Sequence, residues 1–381
     1  MIFVVMLLAI ACPLKASLSD TYITEWRGGA EGAYSFTFDD GARGQFQYAF
    51  PILNEHNIHG TFFLIGTSVD AWYGTPGRVH VPQMLDMAAA GHEIGCHTYT
   101  HPYLTDLNDV EVHAQMSLNR NFFNGYGINP ISMAYPFSAT DERVQAIVGQ
   151  YVEFARDGYP MVTNSSSWGD LNPLDLRWSS QDDDHYACAD LAALTGTWAI
   201  GVFHCVGYPE IEGPAVEEFQ DFVDYVATLR DTGELWIDTV KEIACYIRER
   251  SVATITSSYD AAAKTITVRL QVGLGYPYIV QLTLRTDVNG YYVKSISQSE
   301  MPISYKVLND EAGMLLQYNV VPDGGDVTIE LTDQASEQQV VCVKVLNGDL
   351  NNDCKVDLLD FAIMATYWLD CNLEPEEACF D

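Results

Sequence analysis

Residues 33–41, Ala33-Tyr34-Ser35-Phe36-Thr37-Phe38-Asp39-Asp40-Gly41, read "AYSFTFDDG". A short apolar, aromatic-rich run of this kind reads as a buried strand. It ends on two adjacent carboxylates and a glycine. Successive strand side chains point to opposite faces, so Asp39 and Asp40 share one surface only where the strand is ending. Gly41 tolerates the backbone angles of a tight exit. Asp-Gly is also a common turn pair, so by itself the motif says only that a strand stops here and turns.

Working outward, the same punctuation recurs. The runs "HGTFFLIG", "HEIGCH", "ISMAYPF", "YVEFAR", "WAIGVFH" and "ELWID" read as strands. Between them lie "GQFQYAFPILNEHN", "VPQMLDMAAAGH", "TDLNDVEVHAQMSLNRNFF" and "AVEEFQDFVDYVATLRDTG", whose apolar residues recur at three and four. Strand and helix in steady alternation predict a parallel sheet, and this many units predict a distorted (β/α)7-8 barrel over residues 20–250. Reactive groups of such barrels sit at the C-terminal ends of the strands, where Asp39 and Asp40 fall.

After "YIRERSVATI" the pattern changes to strict alternation in "TITVRLQV", "YIVQLTLRT", "YYVKSIS" and "DVTIEL", separated by turns such as "DVNGYY" and "VPDGGD". Residues 251–345 are therefore expected to form a small all-β sandwich. It serves either as a packing domain or as a glycan surface built on Tyr276, Tyr278, Tyr291 or Tyr292. In residues 346–381, Asp349, Asn351, Asp353, Asp357 and Asp360 occupy positions 1, 3, 5, 9 and 12 of a calcium loop, with the Lys355 carbonyl at position 7. Cys354 stands at position 6, where such loops carry Gly. This EF-hand-type segment resembles one half of a type I dockerin, which implies Ca2+ binding and a cohesin-like protein partner. Type I dockerins carry two such segments, and one is visible here.

The 381 residues are 48% hydrophobic, enough for real cores, and carry a formal net charge of -33. That charge repels phosphate backbones and anionic membranes, which excludes nucleic acid as a partner. It suits a protein that meets neutral glycans or binds divalent cations. The opening "MIFVVMLLAIACPLKAS" has the short apolar run and small residues of an export signal, read as residues 1–19 of a secreted protein. In an alternative reading, "LAIAC" is a lipoprotein site that anchors the chain through Cys12. Setting Cys12 aside leaves an even number of cysteines, as an oxidising compartment favours. Cys342, Cys354, Cys371 and Cys379 crowd residues 342–381.

"HTYTH", His97 to His101, follows the strand "HEIGC". Two His four apart on one face of a helical turn both reach one ion, and one added carboxylate makes a His2Asp set with open positions. That is the arrangement of a hydrolytic metal site, for which zinc is the default ion.

Together "TFDDG" and "HTYTH" resemble the first two motifs of the polysaccharide deacetylases, the NodB-homology carbohydrate esterases, over residues 30–250. The resemblance implies that Asp39 is the catalytic base and that Asp40, His97 and His101 bind the metal. The third motif is met by Pro136 and Phe137 in "AYPFS", with Ala134 where the family has Arg. It implies an oxyanion donor in the Phe137 N–H, and Arg156 of "FARD" is the expected replacement for the missing Arg. The fourth motif falls in "SWGDLNPLDLRW", on Asp170 or Asp175. In "GVFHCVG", His204 matches the general acid and Val202 the residue that lines the acetyl pocket. The implied activity is hydrolysis of N-acetyl or O-acetyl groups of a polysaccharide such as chitin, peptidoglycan or xylan. The alternative is a catalytically silent carbohydrate-binding protein on the same barrel. Cys96 and Cys205, beside two of these His residues, are expected as buried thiols or a disulfide.

Overall fold

The computed structural model describes residues 18–70, 77–157, 163–179, 184–208, 213–310 and 313–333. Residues 1–17 of the proposed signal, with Cys12, and residues 334–381, with Cys342 and the calcium-loop segment, lie outside the described residues. No described helix is long and apolar enough to cross a membrane.

A short strand, β1 (Thr21–Ile23), precedes β2 (Gly32–Asp39), of which every residue is buried. Strand alternation divides β2 into two faces. Tyr34, Phe36 and Phe38 enter an aromatic cluster with Phe62, Phe203, Phe219 and Phe222. Phe38 stacks on Phe62 with ring centroids 4.6 Å apart. On the other face Ser35 Oγ donates to the Asp238 carbonyl at 2.8 Å, and Thr37 Oγ1 to that of Gly201 at 2.9 Å. Small residues inside and rings outside let other strands close around β2. The inner row then ends on Asp39.

Around β2 runs a parallel sheet of β3 (Thr61–Leu64), β4 (Glu93–Cys96), β5 (Ser132–Ala134), β6 (Phe154–Arg156), β7 (Trp198–Phe203) and β8 (Leu235–Ile237). Its order is β6-β5-β4-β3-β2-β7, with β8 on the first residues of β2. An irregular stretch, residues 173–179, fills the gap between β6 and β7. Leu176 N donates to Ala155 O at 2.9 Å on one side, and Ser179 N donates to Ile200 O at 2.9 Å on the other. The result is an α/β barrel-like domain with one unstranded seam.

The connecting helices are α1 (Phe50–Glu55), α2 (Val81–Ala89), α3 (Asp109–Asn124), α4 (Glu142–Val148), α5 (His185–Thr195), α6 (Val216–Asp231) and α7 (Val240–Val252). Side-chain oxygens start several of them. Asn108 accepts from Glu111 N, Asp141 from Val144 N, and Thr239 from Glu242 N, which satisfies donors that a helix N-terminus leaves open.

Beyond α7 the chain forms β9 (Thr254–Asp260), β10 (Thr265–Gln271), β11 (Leu282–Asp287), β12 (Tyr292–Gln298), β13 (Met301–Pro302), β14 (Tyr305–Asp310), β15 (Gly313–Val320) and β16 (Val327–Thr332). They make two antiparallel sheets, ordered β1-β11-β15-β14 and β13-β12-β16-β10-β9. The alternating runs of the sequence correspond to β10, β11, β12 and β16. β15 escapes that pattern because Leu315–Tyr318 is buried without alternation.

β1, which precedes the barrel strands, pairs with β11, setting Tyr22 against Arg285. Tyr246 of α7 donates its hydroxyl to the Thr24 carbonyl at 3.0 Å. Trp26, Trp198, Ile243 and Tyr246 share one core with Ile266, Leu282, Leu284 and Leu316. The barrel floor and the sheets therefore exclude water together. Leu284→Ala is expected to destabilise the chain by about 2–5 kcal/mol and to lower the barrel's unfolding midpoint along with that of the sheets. Urea unfolding followed by tryptophan fluorescence reads the barrel; an unmoved barrel transition would show the two parts to be independent.

Candidate active site

The two carboxylates separate at the end of β2. Asp39 completes the inward row and is 6% exposed. Asp40 and Gly41 both adopt left-handed backbone angles, φ 72 and 70, so the chain reverses and Asp40 turns away. Asp40 meets the two histidines. Its Oδ1 lies 3.5 Å from His97 Nε2 and 3.4 Å from His101 Nε2, and the two Nε2 atoms are 3.1 Å apart.

His97 and His101 come together by a route other than the expected helical turn. They flank a non-helical loop in which Thr98 and His101 are left-handed, φ 62 and 61. Two residues of α3 hold this loop. Gln115 Oε1 accepts from Tyr99 N at 3.1 Å and Thr100 N at 2.9 Å, while Asn119 Nδ2 donates to Thr98 O at 2.6 Å. Neither residue was singled out from the sequence. Asn119 carried a readable signal, since it interrupts the otherwise apolar stripe Val112, Met116, Phe123 of α3.

The donor set fits a divalent cation. His97 Nδ1 is 2.8 Å from the Ala134 carbonyl, so it carries the proton and leaves Nε2 as a lone-pair donor. Asp40 Oδ1 is buried without a hydrogen-bond partner. These three residues form a compact ligand set among the described residues. Burial and the neighbouring His97 push His101 down to about 4, so its ring is neutral and available as a ligand. Burial works upward on the Asp40 carboxyl, but His97, His101 and Arg78 hold it well below the usual carboxylate range. Arg78, also unforeseen, lies 3.9 Å from Asp40 Oδ2.

Asp39 has a different partner. Arg156 Nη2 donates to both its oxygens, to Oδ1 at 2.5 Å. The guanidinium comes from β6, whose register sets Arg156 beside Ala134 of β5. The register thus brings a guanidinium to the strand position beside Ala134. Trp178 and Phe63 pack on the guanidinium, with centroids 5.0 and 5.5 Å away. Burial drives the Asp39 carboxyl upward, yet Arg156, His97 and His204 more than offset it and keep it below its ordinary value.

Residues 28–152 match the polysaccharide deacetylase family. That stretch is similar to a polysaccharide deacetylase domain. A gellan lyase of a Bacillus species is 24% identical over 84% of this chain and 14% of that protein. Chitin deacetylase 1 of Cryptococcus neoformans is 30% identical over 32% of this chain and 24% of its own. The Listeria monocytogenes peptidoglycan-N-acetylglucosamine deacetylase PgdA is 32% identical over 30% and 23%. The chain thus spans about a quarter or less of the length of these relatives. Among solved structures, a family 4 carbohydrate esterase from Streptomyces lividans in complex with acetate aligns at 18% identity and TM-score 0.39, covering 56% of this chain and 95% of that one. The Bacillus subtilis peptidoglycan deacetylase PdaC aligns at 17% identity and TM-score 0.37, covering 56% and 90%.

The remaining residues named from the sequence motifs lie after β5, on or just after β7, and in the stretch 167–178. Phe137 follows β5 in a turn where it and Ser138 are left-handed, φ 59 and 51. Its ring is 53% exposed, stacks on Tyr103 at 4.0 Å and stands edge-on to His101 at 4.5 Å. His204 follows β7, and its Nδ1 is buried without a hydrogen-bond partner. Val202, on the same strand face, is buried beneath it. Asp175 is turned to Arg177 at 3.1 Å, and Asp170 lies in the turn Trp168–Asp170. From that stretch it is Trp178 that meets Arg156. None of the four described cysteines, Cys96, Cys188, Cys205 and Cys245, is in a disulfide. Burial pushes the Cys96 thiol up to about 12, which removes it as a thiolate ligand.

Breaking the Asp39–Arg156 pair should be severe, because the pair is buried. Arg156→Met is expected to destabilise by about 3–5 kcal/mol, since it strands a buried carboxylate, while Asp39→Asn with Arg156→Met recovers most of that loss. Denaturant unfolding of the two variants beside the wild type measures it; a double variant as unstable as Arg156→Met would show that the guanidinium acts through packing alone.

Proposed function

We propose that this chain is a secreted, metal-dependent deacetylase that hydrolyses N-acetyl or O-acetyl groups of a polysaccharide such as chitin, peptidoglycan or xylan. The observation that carries the reading is the division of two adjacent carboxylates, one held by Arg156 and one facing a histidine pair. Asp40, His97 and His101 would hold a divalent ion, by default zinc, which when bound supplies Lewis-acid polarisation of an acyl oxygen.

The rest of the chemistry belongs to the chain's own groups. Arg156 keeps Asp39 ionised and aimed, so that Asp39 can take the proton of an attacking water. The Phe137 N–H donates to the developing oxyanion, a contact whose removal costs about 3 kcal/mol in comparable sites. His204, protonated, delivers a proton to the leaving amine or alcohol. Activity is therefore expected to fall in acid, as Asp39 protonates below its ordinary carboxylate value, and a pH profile of acetate release reads it.

The test is acetate release from chitooligosaccharides, peptidoglycan and acetylated xylan, after chelation and re-addition of single metals. Metal-restored release from one of them is expected; none from metal-loaded protein would favour the binding-only reading. Asp39→Asn should keep the metal and lose nearly all turnover, whereas His97→Ala should lose both. An Asp39→Asn protein found empty of metal would reverse the division of labour.

For residues 349–360 we infer Ca2+ binding, supported by the spacing of Asp349, Asn351, Asp353, Asp357 and Asp360 around the Lys355 carbonyl, with a protein partner as the implied use. Calorimetry of the full chain should then show a calcium-dependent stabilisation that Asp349→Ala or Asp360→Ala removes. An unchanged profile in millimolar calcium would leave Cys354, in place of Gly, as the reason.

A further inference from the structure

β2 and β7 run side by side, and their register pairs Phe38 with Phe203 and then stops. The next residues on the two strands are Asp39 and His204, the base and acid of the reading above, on which this inference rests. With Asp40 in a left-handed conformation, β2 leaves the sheet at the point where the two groups need a fixed separation.

We propose that Gln45 is the positioning residue that continues the ladder. Its amide Nε2 donates to the main-chain carbonyls of both residues, to Asp39 O at 2.5 Å and to His204 O at 2.7 Å. Gln45 is 0% exposed, so these bonds face no competition from water. Two donors on one nitrogen, used on two strands, make a rigid bridge.

The local chain is built to bring it there. Gly44 passes so close to the end of β7 that a Cβ would lie 2.2 Å from Val206 O and 2.8 Å from Cys205 Sγ. No larger residue allows that approach. Gln45 then opens a π-helical turn, Gln45–Ala49, which leads directly into α1. Turns of this kind are rare and occur frequently at functional sites.

Proton transfer from the water and to the leaving group needs base and acid at a fixed spacing, and a misplacement of about 1 Å lowers rates by about 100-fold. The bridge fixes that spacing without touching substrate or metal. Its removal should therefore lower kcat and spare KM and metal binding.

The test uses the full chain with Gln45→Met, which keeps the length but has no donors, and Gln45→Glu, which keeps the shape and sets a carboxylate against two carbonyls. Both are expected to lose about 10- to 100-fold in kcat, with KM within about 2-fold and metal affinity by calorimetry unchanged. Crystals of the Met variant should show the Asp39 and His204 carbonyls further apart than in the wild type. Wild-type kcat in either variant, or a loss that appears only together with lost metal, overturns the proposal. So does an unchanged carbonyl separation, a result that decides the matter even if the wild type releases no acetate. Absence of acetate release by the metal-loaded wild type would instead defeat the deacetylase reading itself.

Discussion

The ion pair between Asp39 and Arg156 is the contact on which the site depends. Both groups are nearly sealed from water, and an unpaired charge there would be strongly disfavoured. Pairing Asp39 with a guanidinium keeps it ionised and also takes it out of competition for a cation. Asp40, one residue later, is left facing two imidazoles. Two chemically identical side chains, adjacent in sequence, thereby acquire different partners. Arg78 stands beside Asp40 and biases that carboxyl toward its charged form as well.

Around this division the barrel mouth collects unusual backbone. Asp40, Thr98, His101, Phe137 and Ser138 are all left-handed, a conformation that non-glycine residues seldom adopt. Such strain persists only where the surroundings over-determine it. Here the surroundings are side-chain amides. Gln115 and Asn119, one turn apart on α3, bind the histidine loop, and Gln45 binds the ends of β2 and β7. Gln45 and Asn119 act as donors and Gln115 accepts, and a carboxamide never titrates.

How much of this was legible in the sequence follows from what each feature depends on. The barrel was legible because short apolar runs such as β2 alternate with helical patterns, and strand and helix periods differ. The clustering of Asp40 with His97 and His101 was legible because they lie within two short motifs. Arg156 was legible only as a cation near a strand end. What sets it on Asp39 is the lateral register of β5 and β6, with Ala134 beside Arg156, and register between strands is a three-dimensional quantity. The histidine loop was read as a helical turn because a four-residue spacing fits both a helix and a left-handed reversal. β1, three residues long, is too short to announce its pairing with β11.

The most direct test is a crystal structure of the full chain loaded with a single transition metal, the ion located by its anomalous scattering. The account predicts an ion on Asp40, His97 and His101, with Asp39 still bound by Arg156 on the far side. An ion bridging Asp39 and Asp40, or an Arg156 displaced from Asp39 when the metal is bound, would contradict it.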